Sequence, residues 1–314
     1  MAVQVRSPAL RGLGQLYGRV FRTPVETSTC QRRQYLSTIS PSAREAGNLE
    51  SGFFKPNLVI FDKDGTLVCF HTMWTPWCTS LAQRMNSATG KDMSAHVYDV
   101  LGYDHREKKV RIGALAENTH PQIKDKIEEM LVDSQNLKPS HAKEVVNSTW
   151  KDTPEDMAIK LTANLPEIFG RLKNEGVKIA ICTSDSQEGT QEFLDKTRLG
   201  DYVDMIMCGD DPAGKPKPNP HNALHICKKM GVSPTDSIMV GDTPADTLMG
   251  QQAALGLTVG VLTGVGNMHD LKDADVIVSD VKECVDMILP DRSVVRDKPV
   301  VYQVNTKIII FSKA

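Results

Sequence analysis

Residues 58–67 read Leu58-Val59-Ile60-Phe61-Asp62-Lys63-Asp64-Gly65-Thr66-Leu67. Four apolar residues run directly into two carboxylates that stand two positions apart. A run this short, closed by the turn dipeptide Asp-Gly, suits a strand buried on both faces. At a strand end, side chains two apart leave on one face, which brings Asp62 and Asp64 together. Like charges at close range are costly unless a cation neutralises them or one carboxyl is protonated. Hard divalent cations such as Mg²⁺ take carboxylate and carbonyl oxygens. Gly65 permits a sharp turn and Thr66 braces it. Asp-Gly is also a common solvated turn, and on its own the stretch leaves both readings open.

The same grammar recurs downstream. Short apolar runs at Lys178–Cys182, Met205–Cys208, Ser237–Val240, Thr258–Leu262 and Asp275–Val278 are predicted strands. Between them, helical spacing predicts helices over Pro154–Glu175, Glu188–Lys196, Asn222–Met230, Ala245–Ala254 and Lys282–Leu289. Gly176, Gly231 and Gly256 follow three of these as helix-ending glycines. Alternating strand and helix implies an α/β fold, a Rossmann-like parallel sheet with helices on both faces. Ligands of such sheets sit at the carboxyl ends of the strands, where Asp62, Thr183, Asp210 and Asp242 gather.

Asp64 and Thr183 lie 119 positions apart, whereas a strand–helix–strand unit needs about 30 residues. Residues 70–150 are therefore read as a helical cap domain inserted after the first strand, with helix-like pieces at Trp77–Ser87 and Pro121–Leu131. The core is expected over 57–69 and 151–289.

Three later features bear on the first loop. Ile179-Ala180-Ile181-Cys182-Thr183-Ser184-Asp185 ends a strand in hydroxyls suited to a phosphoryl oxygen, although many strands end in Thr or Ser. Gly214-Lys215-Pro216-Lys217-Pro218-Asn219-Pro220 holds a Lys in a stiff segment before a helix. A fixed point charge suits a phosphate, and a proline-rich surface loop is the alternative. Met239-Val240-Gly241-Asp242-Thr243-Pro244-Ala245-Asp246 ends a strand in two more carboxylates. Asp242 is a candidate metal ligand, and Asp246 a candidate to hold metal waters or the Lys. Capping of the next helix is the competing role for both.

The ordered set D-x-D-G-T, strand-end Thr, K-P-x-P and G-D-x-x-x-D resembles the haloacid dehalogenase superfamily of phosphohydrolases across roughly residues 57–289. The resemblance implies an Mg²⁺-dependent phosphatase working through an aspartyl-phosphate. It implies Asp62 as nucleophile, with the Asp62 carboxylate, the Asp64 backbone carbonyl and Asp242 on the metal and Asp246 nearby. Asp64 would be the acid and then the base. Thr183 would hold the phosphoryl group, with Ser184 and Gly65 counted beside it among the substrate-binding residues. Both Lys215 and Lys217 begin a K-P-x-P, and Lys217 fits the family's usual gap to Gly231 better. The run Gly256-Leu257-Thr258-Val259-Gly260-Val261-Leu262-Thr263-Gly264 and the cap position resemble the phosphoglycolate phosphatase group. The phosphate ester of a small metabolite, phosphoglycolate-like, is the expected substrate. A sugar phosphomutase and a non-catalytic binding protein on the same fold are the alternatives.

Within the cap, His71, Trp74, Trp77 and the basic loop Lys108–Leu115 are candidates for specificity. Arg111 is read as a clamp for a substrate carboxylate or second phosphate. The competing reading makes the Trp residues cap core and the basic run a solvated face. His221 and His225 stand four apart on a predicted helix, with no third metal ligand nearby. Val300–Val304 and Ile308–Phe311 look like strands in a C-terminal extension, 290–314, that has no functional reading.

The chain has 314 residues, 40% hydrophobic and 24% charged, the balance of an ordinary globular protein. Its seven scattered Cys form no C-x-x-C pair, which argues against a zinc ribbon or a dithiol redox motif. Residues 1–44 hold seven Arg, no Lys and one acid, leaving 30 bases against 38 acids in the remainder. An Arg-rich, acid-poor, amphipathic start reads as a mitochondrial transit peptide and a matrix location, with a disordered basic arm and a cytoplasmic location as alternatives. The acidic body argues against nucleic acid as partner. With no run of about 18 apolar residues, no membrane span is expected.

Overall fold

The structure is a computed structural model that describes residues 55–151, 159–289, 300–304 and 307–311. The predicted transit segment and the first part of the C-terminal extension lie outside the described residues. In chain order, β1 (Leu58–Phe61) is followed by α1 (Phe70–Thr89), α2 (Ser94–Leu101), β2 (Tyr103–Asp104), β3 (Lys109–Val110), α3 (Ala114–Glu117), α4 (His120–Gln135) and α5 (Pro139–Thr149). The chain then alternates through α6 (Leu165–Asn174), β4 (Lys178–Cys182), α7 (Gln187–Thr197), β5 (Met205–Met207), α8 (His221–Met230), β6 (Ser237–Gly241), α9 (Pro244–Gln252), β7 (Leu257–Val261), β8 (Val276–Val278) and α10 (Val281–Ile288). It closes with β9 (Val300–Val304) and β10 (Lys307–Phe311).

The main sheet has the order β5-β4-β1-β6-β7-β8, and every pair in it is parallel. The α/β reading of the sequence holds, and all six predicted strands are present within a residue or two of their expected ends. β1 lies between β4 and β6, with Leu58 level with Lys178 on one side and Ser237 on the other. All four of its side chains are fully buried. They alternate between two cores: Val59 and Phe61 join the larger one, Leu58 and Ile60 the smaller. Phe61 stacks on Phe169 of α6 with ring centroids 5.4 Å apart. Burial of each such side chain is worth about 1.5–3 kcal/mol, so β1 is anchored firmly enough to aim the loop that follows it.

Residues 70–149 form five helices and the two-residue antiparallel ribbon β2–β3, which the sequence pattern did not reveal. Their aromatic residues meet edge to face: Trp74 and Trp77 at 5.4 Å, Trp77 and Trp150 at 5.1 Å. The Trp residues are thus packed core, and Trp74 also reaches the cleft described below.

Two expectations need correction. The long helix expected from Pro154 begins only at Leu165 within the described residues. Leu161 instead bridges Val68, and the Thr162 N–H and hydroxyl donate to the Leu67 and Thr66 carbonyls. Pro166, which has no N–H to give, sits in the first turn that this pairing leaves. Gly256 does not end α9: Ala254 holds the left-handed conformation there, and the Gly256 N–H donates to Pro234. At the C-terminal end, β9 and β10 pair antiparallel.

Candidate active site

The site forms where β1, β4 and β6 end side by side. Asp62 follows β1, and its N–H donates to the Val240 carbonyl of β6 at 2.8 Å. Thr183 follows β4, its N–H donating to Met207 at 3.0 Å. Asp242 follows β6, where the Val265 N–H donates to its carboxylate at 2.8 Å. Asp246 lies in the first turn of α9 and accepts from the Thr243 N–H and hydroxyl, completing a capping box. The capping role weighed for Asp246 is therefore filled, and its other oxygen remains for a second partner.

That partner is Lys217. Its ammonium lies 2.6 Å from Asp246 and 2.7 Å from Asp62. Lys215 does not enter: its side chain is exposed, and its backbone exchanges hydrogen bonds with the Asn222 side chain. The carboxylates of Asp62, Asp242 and Asp246 converge, with one oxygen of each within 4.8 Å of the others, and all three residues are buried. Burial pushes the Asp62 carboxyl up to about 7, with Lys217 pulling down and Asp246 adding to the rise. Burial, then Asp62 and Asp246, hold Asp242 well above the carboxylate range. Burial works against the Lys217 ammonium, but Asp246 and Asp62 outweigh it and keep the group charged. Three buried carboxylates against one ammonium leave negative charge uncompensated, and hard oxygen donors in this arrangement fit a divalent cation such as Mg²⁺.

Gly65 turns the chain under this cluster at φ +89°, and a β-carbon there would overlap the Asp242 carboxylate. Its N–H donates to Val68 and its carbonyl accepts from the Thr263 hydroxyl. This corrects its placement among the substrate-binding residues: its backbone groups are engaged in the turn. Gly65→Ala is expected to lower stability by about 1–3 kcal/mol through strain and overlap. It should also weaken the stabilisation by Mg²⁺, read from thermal melts with and without the cation.

A second charged group lies beneath the cleft. Lys63, fully buried, is 2.8 Å from Asp64 and 2.9 Å from Asp185. Its ammonium also stands over the Phe193 ring at 5.8 Å. Burial opposes its charge, but Asp185 and Asp64 raise it above the ordinary lysine range. Burial likewise raises Asp64, Lys63 lowering it and Asp185 adding to the rise. Asp185 reaches the insertion as well, 3.4 Å from His120 at the start of α4. Asp64 does not join the three-carboxylate cluster through its side chain.

Asp62, Asp64, Thr183, Ser184 and Lys217 line one cleft of about 360 Å³, open mouth included, together with Asp185 and residues of the insertion. Arg111 is not among them. Its guanidinium is exposed and pairs with Asp104 and Glu107, each at 3.0 Å. The clamp expected of Arg111 is thereby corrected: β2 and β3 turn it toward its own loop, where two acids take up the charge. His221 and His225 pack with ring centroids 5.9 Å apart, and His221 is bonded to the Ala213 carbonyl.

Lys63, Asp185, His120 and Glu117 were not singled out from the sequence. Asp185 had a signal, standing two positions after Thr183 as Asp64 stands after Asp62. The others had none, since a Lys between two acids also reads as a solvated turn.

Residues 56–254 match the haloacid dehalogenase-like hydrolase family. A phosphoglycolate phosphatase of Aquifex aeolicus is 26% identical over 196 residues, which cover 62% of this chain and 80% of that protein. The probable phosphatase IndB of Dickeya dadantii is 34% identical over 116 residues, 36% of this chain and 50% of that protein. The chain spans about half the length of several of the curated relatives it matches. Among solved structures, a predicted phosphoglycolate phosphatase from Haemophilus somnus shares the fold, with TM-score 0.55 and 20% identity over 76% of this chain and 98% of the other. With the family match spanning well over half of its length and the acidic loops at the ends of β1 and β6, the chain belongs to the haloacid dehalogenase-like hydrolases.

Proposed function

We propose that the protein is a phosphomonoesterase that acts on a small metabolite through a phosphoryl-Asp62 intermediate. The observation that carries this reading is the Lys217 ammonium, held between Asp62 and Asp246 at the floor of the cleft. An Asp62 oxygen attacks phosphorus, and the bond from phosphorus to the leaving oxygen breaks. Asp64 gives that oxygen a proton. It then takes a proton from water, whose oxygen attacks phosphorus and releases Asp62 and orthophosphate. The raised Asp64 carboxyl, buried beside Asp185, supports the acid half of this role. Lys217 and the Thr183 hydroxyl face the phosphoryl oxygens, where most of the catalysis of this reaction arises.

Asp62 and Asp242, with the Asp64 backbone carbonyl, would hold Mg²⁺. The ion supplies neutralisation of phosphoryl charge when bound. Asp246 is held by Thr243 and Lys217 and acts through the Lys. Residues 70–150 serve as a cap that closes over the leaving group. The relatives named phosphoglycolate phosphatase support a small leaving group. The Arg-rich first 44 residues support delivery to the mitochondrial matrix, checked by import of the full chain into isolated mitochondria and its protection from added protease.

Phosphate release from a panel of small esters should require Mg²⁺ and stop with EDTA; release unaffected by EDTA would refute the reading. A pH effect accompanies it. The Asp62 carboxyl is raised in the folded protein to about 7 from 3.8. Without the cation, its ionised form penalises the fold, and the penalty grows as pH rises from about 4 through 7. Mg²⁺ binds the ionised form and removes it. The rise in Tm with Mg²⁺ should therefore be larger at pH 8 than at pH 6, by about 5 °C.

A further inference from the structure

The insertion lines the cleft with Phe70, Trp74, Leu115, Asn118, His120 and Ile123. None of these carries a fixed positive charge. Among the described lining residues the one Lys or Arg is Lys217, committed to Asp62 and Asp246, and the His120 ring faces Asp185. His120 is also wedged edge-on between Trp74 and Trp150, at 6.0 and 5.6 Å. Two insertion cations are spent elsewhere. Arg111 pairs with Asp104 and Glu107, and Lys124 lies over the Trp150 ring at 5.0 Å, outside the lining. The charge that the insertion does bring near the floor is negative. Glu117, at the end of α3, sits close enough to feel Asp246 and accepts from the Ala245 N–H.

A leaving group with a second carboxylate or phosphate would enter this wall stripped of water, with no Lys or Arg of the described lining to pair with, and beside Asp64 and Asp185. Burying an unpaired charge is strongly unfavourable, whereas apolar surface gains by the same burial. One buried polar group in the wall is poorly matched. The Trp74 indole N–H makes no well-formed hydrogen bond, its contact with the Asp64 carboxylate serving only to ease that carboxyl downward. Buried donors are rarely left unpaired, and one lining a binding cleft is matched by an acceptor on the ligand.

We propose that the substrate is a phosphate monoester whose leaving group is small and uncharged and carries one hydrogen-bond acceptor for the Trp74 N–H. This rests on the phosphomonoesterase reading and narrows it. Leaving groups with a second anionic group, including the carboxylate of phosphoglycolate, are rejected by the wall.

The test compares three esters of nearly equal size on the full chain with Mg²⁺: 2-hydroxyethyl phosphate, ethyl phosphate and 2-phosphoglycolate. kcat/KM for 2-hydroxyethyl phosphate should exceed that for 2-phosphoglycolate by about 100-fold or more, the scale of discrimination when a buried group lacks its partner. Trp74→Phe keeps the ring and removes the donor. It should cut the ratio of kcat/KM for 2-hydroxyethyl over ethyl phosphate about tenfold. A loss equal for both esters would mean that Trp74 only braces Asp64, and would overturn the acceptor assignment. Asn118→Lys, which places a cation in the wall, should raise turnover of 2-phosphoglycolate relative to the neutral esters. Asp62-dependent turnover that favours 2-phosphoglycolate in the parent protein would overturn the substrate class and leave the phosphatase reading standing. Absence of Asp62-dependent release from all three esters and from p-nitrophenyl phosphate would overturn both.

Discussion

Asp62→Asn is expected to reduce phosphate release by about 10⁴-fold or more, because the amide has no oxygen basic enough to form the covalent intermediate. The fold should survive the change. Asn fills the same volume at the end of β1 and still offers an oxygen to Lys217, 2.7 Å away. It also removes one charge from a buried cluster in which Asp62, Asp242 and Asp246 converge. Since burial holds the Asp62 carboxyl up near 7, loss of the ionised form relieves the fold at neutral pH and above. Tm without Mg²⁺ should therefore stay level or rise at pH 8 while turnover disappears. Full activity in a folded Asp62→Asn protein would remove the covalent mechanism.

Lys63→Met is expected to be the most damaging single change to stability, at about 3–5 kcal/mol, the cost of leaving buried charge without its partner. Met keeps much of the stem that packs near Phe193, so the loss isolates the ammonium. Asp64 and Asp185 would face each other uncompensated. The sign with pH follows from their direction. Asp64 is already raised by burial, and losing Lys63 raises it further. The penalty is present above the new pKa and recedes as pH falls through it, because protonated carboxyls bury cheaply. Urea midpoints of the parent and Lys63→Met proteins should differ more at pH 7.5 than at pH 5. An equal difference at both values would assign the loss to packing.

These two residues mark how far the sequence carried. Asp62 was legible because four apolar residues that suit a doubly buried strand end on it, the chain then turns at Asp64-Gly65, and the same pattern recurs downstream. The same logic found Thr183 at the end of β4 and Asp242 at the end of β6, since apolar runs stop where a strand leaves the core. Period and composition also gave α8 and α10 within a residue or two of their observed bounds. Lys63 was quoted in the motif but carried no signal of its own: alternation places it off the face of Asp62 and Asp64, and nothing local says whether that side is water or core.

Local pattern therefore settled which residues end the strands, and with them the parallel sheet and the polar groups gathered along its carboxyl edge. It did so because burial on two faces leaves a record in consecutive residues. What depended on distant chain was settled by packing. Lys217, favoured over Lys215 in the sequence only through the family's usual gap to Gly231, reaches Asp62 across 155 positions. Arg111 turns to Asp104 and Glu107 instead of the cleft. Residues 159–164 pair with the loop after β1 instead of extending α6. Trp74 is packed in the insertion's aromatic core and still lines the cleft beside Asp64. Each of these is a choice between two partners of similar chemistry, and only the geometry of elements far apart in the chain separates them.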